Sequence, residues 1–376
     1  MITQTNQHTH TKPIRLAIVG LGERGHLMAK TMTNLNPNAE LAVIVDPDTQ
    51  KIQQRIDSGE IRYAKNLAKY QNIDQMLQAG PDIDAIIIGT HCSMHTPIAI
   101  QVAKLNLPLY LEKPVCISWG QYNQIEQAYT NRYDNVLVSF PLRTTPLLQA
   151  VREYIQDGKL GTVNQIQAIN NVSYGNVYVD TWYIDYEKTG GLWLQKATHD
   201  LDYIHYLADA TPTQITAMHS RNVWKDPILH QDAGTAIVQY DKGFHASYSQ
   251  NFITRRGAGK RGAIVTGEDG TISFNWNTDS FSFWAHNQHR EETVCIKSDS
   301  GHGGGDQILA QNFLDMILKR NPSLATLRDG LISAATCLAA REAANKNLVL
   351  DIPRPFGEKP PQTIDRVIEP ITSSLN

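Results

Sequence analysis

The chain has little of what marks secreted, membrane-spanning or nucleic-acid-binding proteins. Its four cysteines, Cys92, Cys116, Cys295 and Cys337, show no C-x-x-C spacing, which argues against a disulfide framework and a zinc site. No run of eighteen apolar residues occurs, and residues 1–12 lack the apolar core of a signal peptide. The formal charge of −3, from 34 basic and 37 acidic residues, gives no field suited to nucleic acid or an anionic membrane.

These absences leave an ordinary globular protein. With 376 residues, 41% of them apolar, the chain is long enough for two domains with buried cores. The low cysteine content favours a reducing compartment. We therefore expect a cytoplasmic protein with no bound metal, no membrane partner and no nucleic-acid partner, which begins with a disordered tail over residues 1–13.

The strongest pattern lies between Ile14 and Asp46. An apolar run ends at Gly20, and Gly22 and Gly25 complete G-x-G-x-x-G where the spacing turns helical. In such a turn the first glycine closes the bend, the second admits a pyrophosphate, and the third lets the helix pack closely on the strand. The helix N-terminus then faces the anion. The sequence predicts a strand, a turn, a helix and a second strand that together bind a dinucleotide.

The acidic residue at the end of the second strand indicates which dinucleotide is bound. Asp46 follows Gly25 by twenty-one positions, where its carboxylate would accept hydrogen bonds from a ribose and repel a 2′-phosphate. The prediction is NAD(H) rather than NADP(H), although Arg24 nearby could offset that repulsion. The predicted cofactor contacts in this unit are Gly20, Leu21, Gly22, Glu23, Arg24, Gly25 and Asp46.

A second apolar run, AIIIG over residues 85–89, is typical of a parallel strand buried on both faces. It is followed by Thr90, His91 and His95. Because ligands of open parallel sheets bind beyond the carboxyl ends of the strands, we expect these side chains to border the nicotinamide half of the cofactor. For His95, an ordinary place at the start of a helix before Pro97 is an equal alternative.

A third run, over residues 109–111, is followed by Glu112, Lys113 and Pro114. A lysine at this edge of the sheet can hydrogen-bond a substrate hydroxyl and favour its alkoxide character as hydride leaves. The alternative, a solvated surface lysine, fits poorly with a strand buried in a parallel sheet. We expect Lys113 to be catalytic, and both Glu112 and Lys113 to contact the cofactor.

The pattern changes near Leu142. From Thr162 onward, strand-like runs alternate apolar and polar residues and are separated by Gly, Asn and Asp turns. This alternation is typical of an open antiparallel sheet with one face packed on helices. We therefore expect a dinucleotide-binding domain over residues 14–142 and a C-terminal α/β domain over residues 143–376.

A helix is predicted after a glycine pair in the second domain. In it, Gln195, Lys196, His199 and Asp202 lie three or four positions apart and share one face, while the flanking residues are apolar. Such a stripe lines a cleft rather than solvent. A histidine has an unperturbed pKa of about 6.5, which suits proton transfer near neutrality, and Lys196 would lower that pKa while Asp202 would raise it. We predict that His199 is the acid–base group, with a structural core histidine as the alternative.

Two glycine-rich segments could also reach a substrate. Residues 255–261, RRGAGKR, form either a clamp for a carboxylate or sulfate or, as the favoured interpretation, a solvated hairpin tip. His302 lies in the run GHGGGD, whose Asp306 is a predicted helix N-cap and whose glycines allow close approach of a ligand. The predicted substrate-binding residues are Trp182, Lys196, His199 and His302.

Taken together, these motifs resemble the glucose–fructose oxidoreductase and inositol dehydrogenase family, also called Gfo/Idh/MocA. The resemblance runs from about Ile14 to about Pro353. It rests on the glycine turn, on Thr90 with His95 five residues later, and on LEKP. It also rests on the segment FPLRTTPLLQAVREYIQDGKLG, which is similar to the family's domain junction, and on the GG…H-x-x-D run that contains His199.

The chain departs from the family pattern at three positions. His91 and Cys92 stand where the family has Pro and Asn, and Gln195 stands where it has an aspartate beside the reacting carbinol. Gln195 can carry neither a proton nor a charge, so the acid–base role falls on His199.

The resemblance implies a Rossmann domain followed by an α/β domain with a large open, mostly antiparallel sheet. It implies NAD as the cofactor, a small carbohydrate or polyol as the substrate, and Lys113 and His199 around the reacting carbinol. Arg143, at the domain junction, is a further predicted cofactor contact. A homodimer or homotetramer formed through the C-terminal sheet is also expected.

Three functions remain open at the level of sequence. The first is a sugar or polyol dehydrogenase, the second an NAD-dependent glycoside hydrolase that acts by transient oxidation, and the third a non-catalytic NAD-binding regulator. The presence of both Lys113 and His199 argues against the regulator, because a regulator needs no proton-transfer group.

Overall fold

A computed structural model describes residues 12–173, 181–223, 231–255, 257–288, 290–297 and 301–358. The sequence predictions for the tail over residues 1–11, for Arg256 and for residues 359–376 lie outside these ranges.

The N-terminal half is a parallel sheet flanked by helices. Its elements are β1 (Ile14–Val19), α1 (Glu23–Leu35), β2 (Ala39–Val45), α2 (Thr49–Asp57), β3 (Tyr63–Tyr70), α3 (Ile73–Ala79), β4 (Ala85–Ile88), α4 (Cys92–Ala103), β5 (Leu109–Leu111), α5 (Trp119–Ala128) and β6 (Val136–Val138). The six strands pair in the order β3-β2-β1-β4-β5-β6, and every pair is parallel.

This strand order places the predicted residues at one edge. The order reverses between β1 and β4, which opens a crevice at the carboxyl ends of the strands. β4 and β5 are completely buried, as their apolar runs predict. The glycine turn, Asp46, Thr90 and Glu112 each follow one of the four central strands and so meet at the crevice.

The C-terminal half is built on one large sheet. Its elements are α6 (Pro146–Gln156), β7 (Val163–Ser173), α7 (Tyr186–Thr189), a π-helical turn (Trp193–Ala197), α8 (Thr198–Ala208), β8 (Pro212–Ser220), β9 (Ala233–Tyr240), β10 (His245–Thr254), β11 (Lys260–Gly267), β12 (Gly270–Asn275), β13 (Ser280–Ala285), β14 (Glu291–Cys295), α9 (Gly305–Ile317), α10 (Leu327–Lys346) and β15 (Val349–Asp351).

The pairing in this sheet confirms the predicted fold class. Nine strands follow the order β14-β13-β12-β11-β7-β10-β9-β8-β15, and within the described chain β7 and β10 form its one parallel pair. Inward residues of the central strands, such as Ile166, Val238 and Val265, are buried, whereas their neighbours along each strand are more exposed. The observed alternation is the period of two that the sequence predicted.

The two halves are joined through a continuous apolar core. Side chains from both sheets belong to one buried cluster. Helix α10 comes so close to the parallel sheet that a Cβ added at Gly330 would lie 2.6 Å from a Val115 methyl group and 2.9 Å from one of Val138. The domain boundary near residue 142 stays a prediction.

Two searches of the described residues gave negative results. No helix there combines the length and apolarity needed to cross a bilayer. Within the same ranges, no three His, Cys, Asp or Glu side chains are grouped so as to hold a metal ion.

The junction between the halves generates a stability prediction. Gly305, the first residue of α9, packs against the turn at Pro141, and a Cβ there would lie 1.9 Å from the Pro141 carbonyl oxygen. Because that atom belongs to the backbone, it cannot rotate away. We expect Gly305→Ala to lower the free energy of unfolding by about 3 kcal/mol, measured by urea denaturation.

Gly120→Ala is the matched control. Its Cβ would meet no atom closer than Ser118 Oγ at 3.9 Å, and it lies in the first turn of α5. Alanine there should leave stability unchanged or raise it by up to about 1 kcal/mol through helix propensity. Equal urea midpoints for the two variants would contradict the proposed backbone clash.

Candidate active site

A cavity of about 710 Å³ lies between the carboxyl edge of the parallel sheet and the residues around α8. Its volume is within the range of small-molecule and cofactor sites. Of the residues predicted from sequence, it is lined by Gly20, Gly22, Glu23, Arg24, Asp46, Thr90, His91, His95, Glu112, Lys113, Trp182, Lys196, His199 and His302. Leu21, Gly25 and Arg143 are predicted contacts that are not among its lining residues.

The three glycines of the turn have different steric surroundings. A Cβ at Gly20 would lie 2.7 Å from Thr90 Cγ2, and one at Gly25 would lie 2.3 Å from the Gly20 carbonyl oxygen. A Cβ at Gly22 would meet nothing closer than 3.8 Å, and this residue lines the cavity. Gly20 and Gly25 are therefore required by the protein's own packing, whereas the space beside Gly22 is left open. Space at this position fits a pyrophosphate.

Asp46 is buried and held from three sides. Its carboxylate accepts hydrogen bonds from the backbone N–H groups of Leu21 at 2.8 Å and Asp48 at 3.0 Å. Lys51 Nζ, from the first turn of α2, lies 2.7 Å from Asp46 Oδ2. The sequence analysis did not identify Lys51. The signal was present, because Lys51 lies on the next helix, only five residues after Asp46.

Arg24 does not face Asp46. The suggestion that Arg24 offsets the repulsion between Asp46 and a 2′-phosphate is therefore wrong. Its guanidinium donates to Glu112 at 3.1 Å, to both oxygens of Asp306 at 2.8 and 3.1 Å, and to Ser139 at 3.2 Å. Glu112 follows β5, Ser139 follows β6, and Asp306 lies in the first turn of α9. The strands β5 and β6 are on the opposite side of β1 from β2, which carries Asp46 at its end. Arg24 instead connects the glycine turn to the C-terminal half.

The segment after β4 contributes two histidines to the cavity lining, and one of them also has a structural role. His95 Nδ1 lies 2.8 Å from the Pro114 carbonyl oxygen and its Nε2 lies 3.2 Å from that of Thr90, so this buried ring ties two strand ends together. The ring of His91 lies 4.5 Å from that of Trp182, which in turn stacks on Tyr183 at 4.2 Å. His95 thus supports the site, and His91 with Trp182 forms part of its wall.

Lys113 extends from the end of β5 into the cavity. Its Nζ donates a 2.5 Å hydrogen bond to the carbonyl oxygen of Gln195. Burial lowers the pKa of Lys113 to about 8, and the positive charge of Lys196 acts in the same direction. A lysine in this state can exist as either ammonium or amine near neutral pH.

His199 is buried on α8 with 6% of its surface exposed. Burial, followed by the charges of Lys113 and Arg261, holds its pKa well below the ordinary value, and Lys196 contributes least of the named causes. The direction predicted from Lys196 is therefore confirmed, but its main cause is desolvation. His199 Nδ1 has no hydrogen-bond partner within the described residues.

The predicted polar stripe is divided in the structure. Residues 193–197 form a π-helical turn before α8 begins, so the spacing is not that of one α-helix. Asp202 turns away from the cavity and binds Arg143 Nη2 at 2.5 Å and Nε at 3.1 Å. This ion pair also explains why the predicted cofactor contact Arg143 lies outside the cavity lining.

The favoured interpretation of residues 255–261 as a solvated tip is wrong at Arg261. Its guanidinium binds the buried carboxylate of Asp200 at 2.7 and 3.0 Å, and Tyr248 donates to the same carboxylate at 3.0 Å. The signal was present in the alternation of β11, since Arg261 shares a face with the buried residues Ala263 and Val265. Asp200 and Arg261 form an ion pair, and Arg261 lies close enough to His199 to lower its pKa.

Both halves of the chain match models of one oxidoreductase family. Residues 14–140 match the NAD-binding Rossmann fold model of the GFO_IDH_MocA oxidoreductase family, and residues 152–352 match the model of its C-terminal alpha/beta domain. The Bacillus subtilis protein called uncharacterized oxidoreductase YrbE is 26% identical over 229 residues, which span 61% of this chain and 63% of that protein. Inositol 2-dehydrogenase from Rhizobium meliloti is 26% identical over 267 residues, 70% of this chain and 71% of that protein.

Solved structures agree in fold. Levoglucosan dehydrogenase in complex with NADH and levoglucosan has a TM-score of 0.79 at 18% identity, over 91% of this chain and all of that one. The match to an NAD-binding Rossmann model confirms NAD as the cofactor. With both of its halves matched by the family's models, the chain belongs to the Gfo/Idh/MocA family of NAD-binding oxidoreductases.

Proposed function

We propose that the protein is an NAD-dependent dehydrogenase that transfers a hydride between a carbinol of a sugar or polyol and the nicotinamide. The observation that carries the proposal is the position of Lys113, whose amine has a lowered pKa and faces the cavity beyond the carboxyl end of β5. His199 lines the same cavity within electrostatic reach of Lys113.

The two side chains have complementary roles in this proposal. Lys113, as ammonium, donates a hydrogen bond to the substrate oxygen and stabilises the alkoxide that develops as hydride leaves. His199, which burial keeps neutral, accepts the hydroxyl proton. Bound NAD supplies the hydride acceptor, and Gly20, Gly22 and Asp46 would hold its pyrophosphate and ribose.

The cavity wall supports a small polyhydroxylated substrate. Lys196, His199 and His302 offer polar groups, and Trp182, fixed between His91 and Tyr183, offers an aromatic face. A ring of this kind contacts the C–H face of a sugar while polar groups bind its hydroxyls. Relatives named for inositol, and a solved structure named for levoglucosan, agree with this class.

The open face of the large sheet supports a homo-oligomer. Exposed apolar side chains project from it on β7, β8, β9 and β11, and Met218 on β8, with 75% of its surface exposed, is the most exposed of them. The others are Ile169, Ile237 and Ile264. An apolar patch on a sheet face is typical of a subunit interface, and we propose that a second copy of the chain covers it.

The deciding experiment incubates the purified protein with NAD and a panel of sugars, polyols and aryl glycosides, while the absorbance of NADH and of released aglycone is followed. The proposal requires NADH to accumulate with at least one polyol or sugar. Aglycone release without net NADH would establish the glycoside hydrolase instead, and tight NAD binding without any turnover would establish the regulator.

Asp46 should set the preference for NAD(H). Since its carboxylate occupies the position that a 2′-phosphate would approach, we expect calorimetry to show tighter binding of NADH than of NADPH, and Asp46→Ala to narrow that gap about tenfold. Asp48→Ala, which removes the N-cap of α2, is the control that should retain the preference. Equal affinities of the unmodified protein for NADH and NADPH would refute the assignment.

Lys113→Ala should abolish most turnover and leave NADH affinity nearly intact, because the lysine acts mainly on the substrate oxygen. Loss of one preorganised electrostatic donor typically costs about 10²–10³ in rate. Lys104→Ala, at an exposed position just after α4, is the matched control. A Lys113→Ala enzyme that kept most of its kcat would show that Lys113 is not catalytic.

The pH dependence of kcat/KM for alcohol oxidation should be bell-shaped. The acid limb lies below the ordinary histidine pKa, because His199 must be neutral, and the alkaline limb falls through about pH 8, because Lys113 must be charged. Lys196→Met removes a charge that lowers the pKa of Lys113, so the alkaline limb should move upward. Activity that keeps rising above pH 9 or so would rule out the ammonium role.

A further inference from the structure

The segment that carries His302 has an unusual backbone. His302, Gly303 and Gly304 all have left-handed conformations, with φ of 47°, 58° and 86°. For a residue other than glycine this conformation costs about 1–2 kcal/mol. A histidine therefore occupies a position where glycine would be unstrained, in a wall of the cavity, and such strain is typical of functional sites.

The ring of His302 is oriented by a carboxylate. Its Nδ1 lies 2.8 Å from Asp306 Oδ2, and Arg24 binds both oxygens of Asp306 from the other side. Burial alone would raise the pKa of Asp306, but the hydrogen bonds from His302 and Arg24 bring it to about 2. Because this carboxylate stays ionised, a neutral His302 keeps its proton on Nδ1 and leaves the Nε2 lone pair free to accept another.

His302 also lies between a buried group and solvent. Its ring centroid is 5.9 Å from that of His199, and 34% of its side chain is exposed, compared with 6% of His199. A separation of this size permits proton transfer through one bridging water. Among the described residues, the charged and titratable groups that contact His302 are Asp306 from α9 and His199 from α8, with Arg24 bound to Asp306.

We propose that the His302–Asp306 pair is the proton outlet of the active site, an assignment that rests on the dehydrogenase function proposed above. In alcohol oxidation the C–H hydride passes to NAD and the O–H proton passes to His199. The His199 imidazolium returns to neutral by passing that proton to Nε2 of His302, and His302 releases it to water. The products are ketone, NADH and one proton, and Asp306 stabilises the transient imidazolium of His302.

The test variant is His302→Asn. Asparagine tolerates the left-handed backbone but cannot relay a proton, so the loop should retain its conformation. We expect kcat for oxidation to fall by about 10²-fold while NADH affinity, measured by fluorescence, changes less than about twofold. Imidazole added to the buffer should restore part of the rate, and a series of substituted imidazoles should do so in the order of their pKa values. A role limited to loop structure would produce no such rescue.

The control is His286→Asn. His286 is also exposed, but it binds Glu268 and Thr271 on the far sheet and does not line the cavity, so its loss should leave kcat unchanged. If His302→Asn keeps kcat within about twofold of the unmodified enzyme, the proton outlet is refuted while the dehydrogenase function stands. If the unmodified enzyme oxidises no member of the substrate panel, both proposals fall.

A second measurement is independent of turnover. In the cofactor-free protein, ¹⁵N NMR of the His302 ring should show the neutral form protonated on Nδ1, and Asp306→Asn should shift that proton toward Nε2. A neutral ring protonated on Nε2 in the unmodified protein would overturn the proposal even if His302→Asn were slow.

Discussion

The site depends on one partly buried guanidinium. Arg24, in the first turn of α1, bonds simultaneously to Glu112 after β5 and to Asp306 at the start of α9. Glu112 immediately precedes Lys113 in sequence, and Asp306 holds the ring of His302. Two carboxylates this well buried would be unstable without a cation, and a guanidinium can bind both in fixed geometry. A single side chain thereby fixes the positions of the glycine turn, the strand end with the lysine, and the loop with the histidine.

Burial, rather than the nearest charge, determines the chemistry available in the cavity. Lys113 and His199 both lose affinity for their protons chiefly because they are desolvated, and the other cations of the cavity add to the effect. The negative charges close to this part of the chain are already neutralised, Asp200 by Arg261 and Asp306 by Arg24. The cavity wall therefore offers a lysine whose pKa is about 8 and a histidine that burial keeps neutral. The neighbouring carboxylates are already paired with arginines.

The sequence correctly predicted the positions of residues that follow a strand directly. It did not predict the ion pairs, because these depend on how distant parts of the chain pack together. The glycine turn, Asp46 and Lys113 were placed correctly at the sheet edge because each follows a strand, and parallel strands bring their carboxyl ends together. The ion pairs of Arg24 and Arg261 were not predicted, because a long side chain can bind any carboxylate within reach. Their partners, Asp306 and Asp200, are 282 and 61 residues away in sequence. Asp202 was assigned to the wrong side because its partner, Arg143, is 59 residues away in sequence, and the ion pair holds the carboxylate outside the cavity.

Hydrophobic period and glycine spacing were therefore sufficient to predict the fold class, a dinucleotide-binding domain and the edge of the sheet that borders the cavity. These features reflect local backbone geometry, which a few neighbouring residues specify. Only the tertiary structure decided which ions pair, which histidine is buried and which is open to solvent, and that His302 is oriented toward the cavity by Asp306. The reason is that the energy of a charge depends on its distance from other charges and from water. The folded structure sets both distances, and the local sequence around a residue does not specify them.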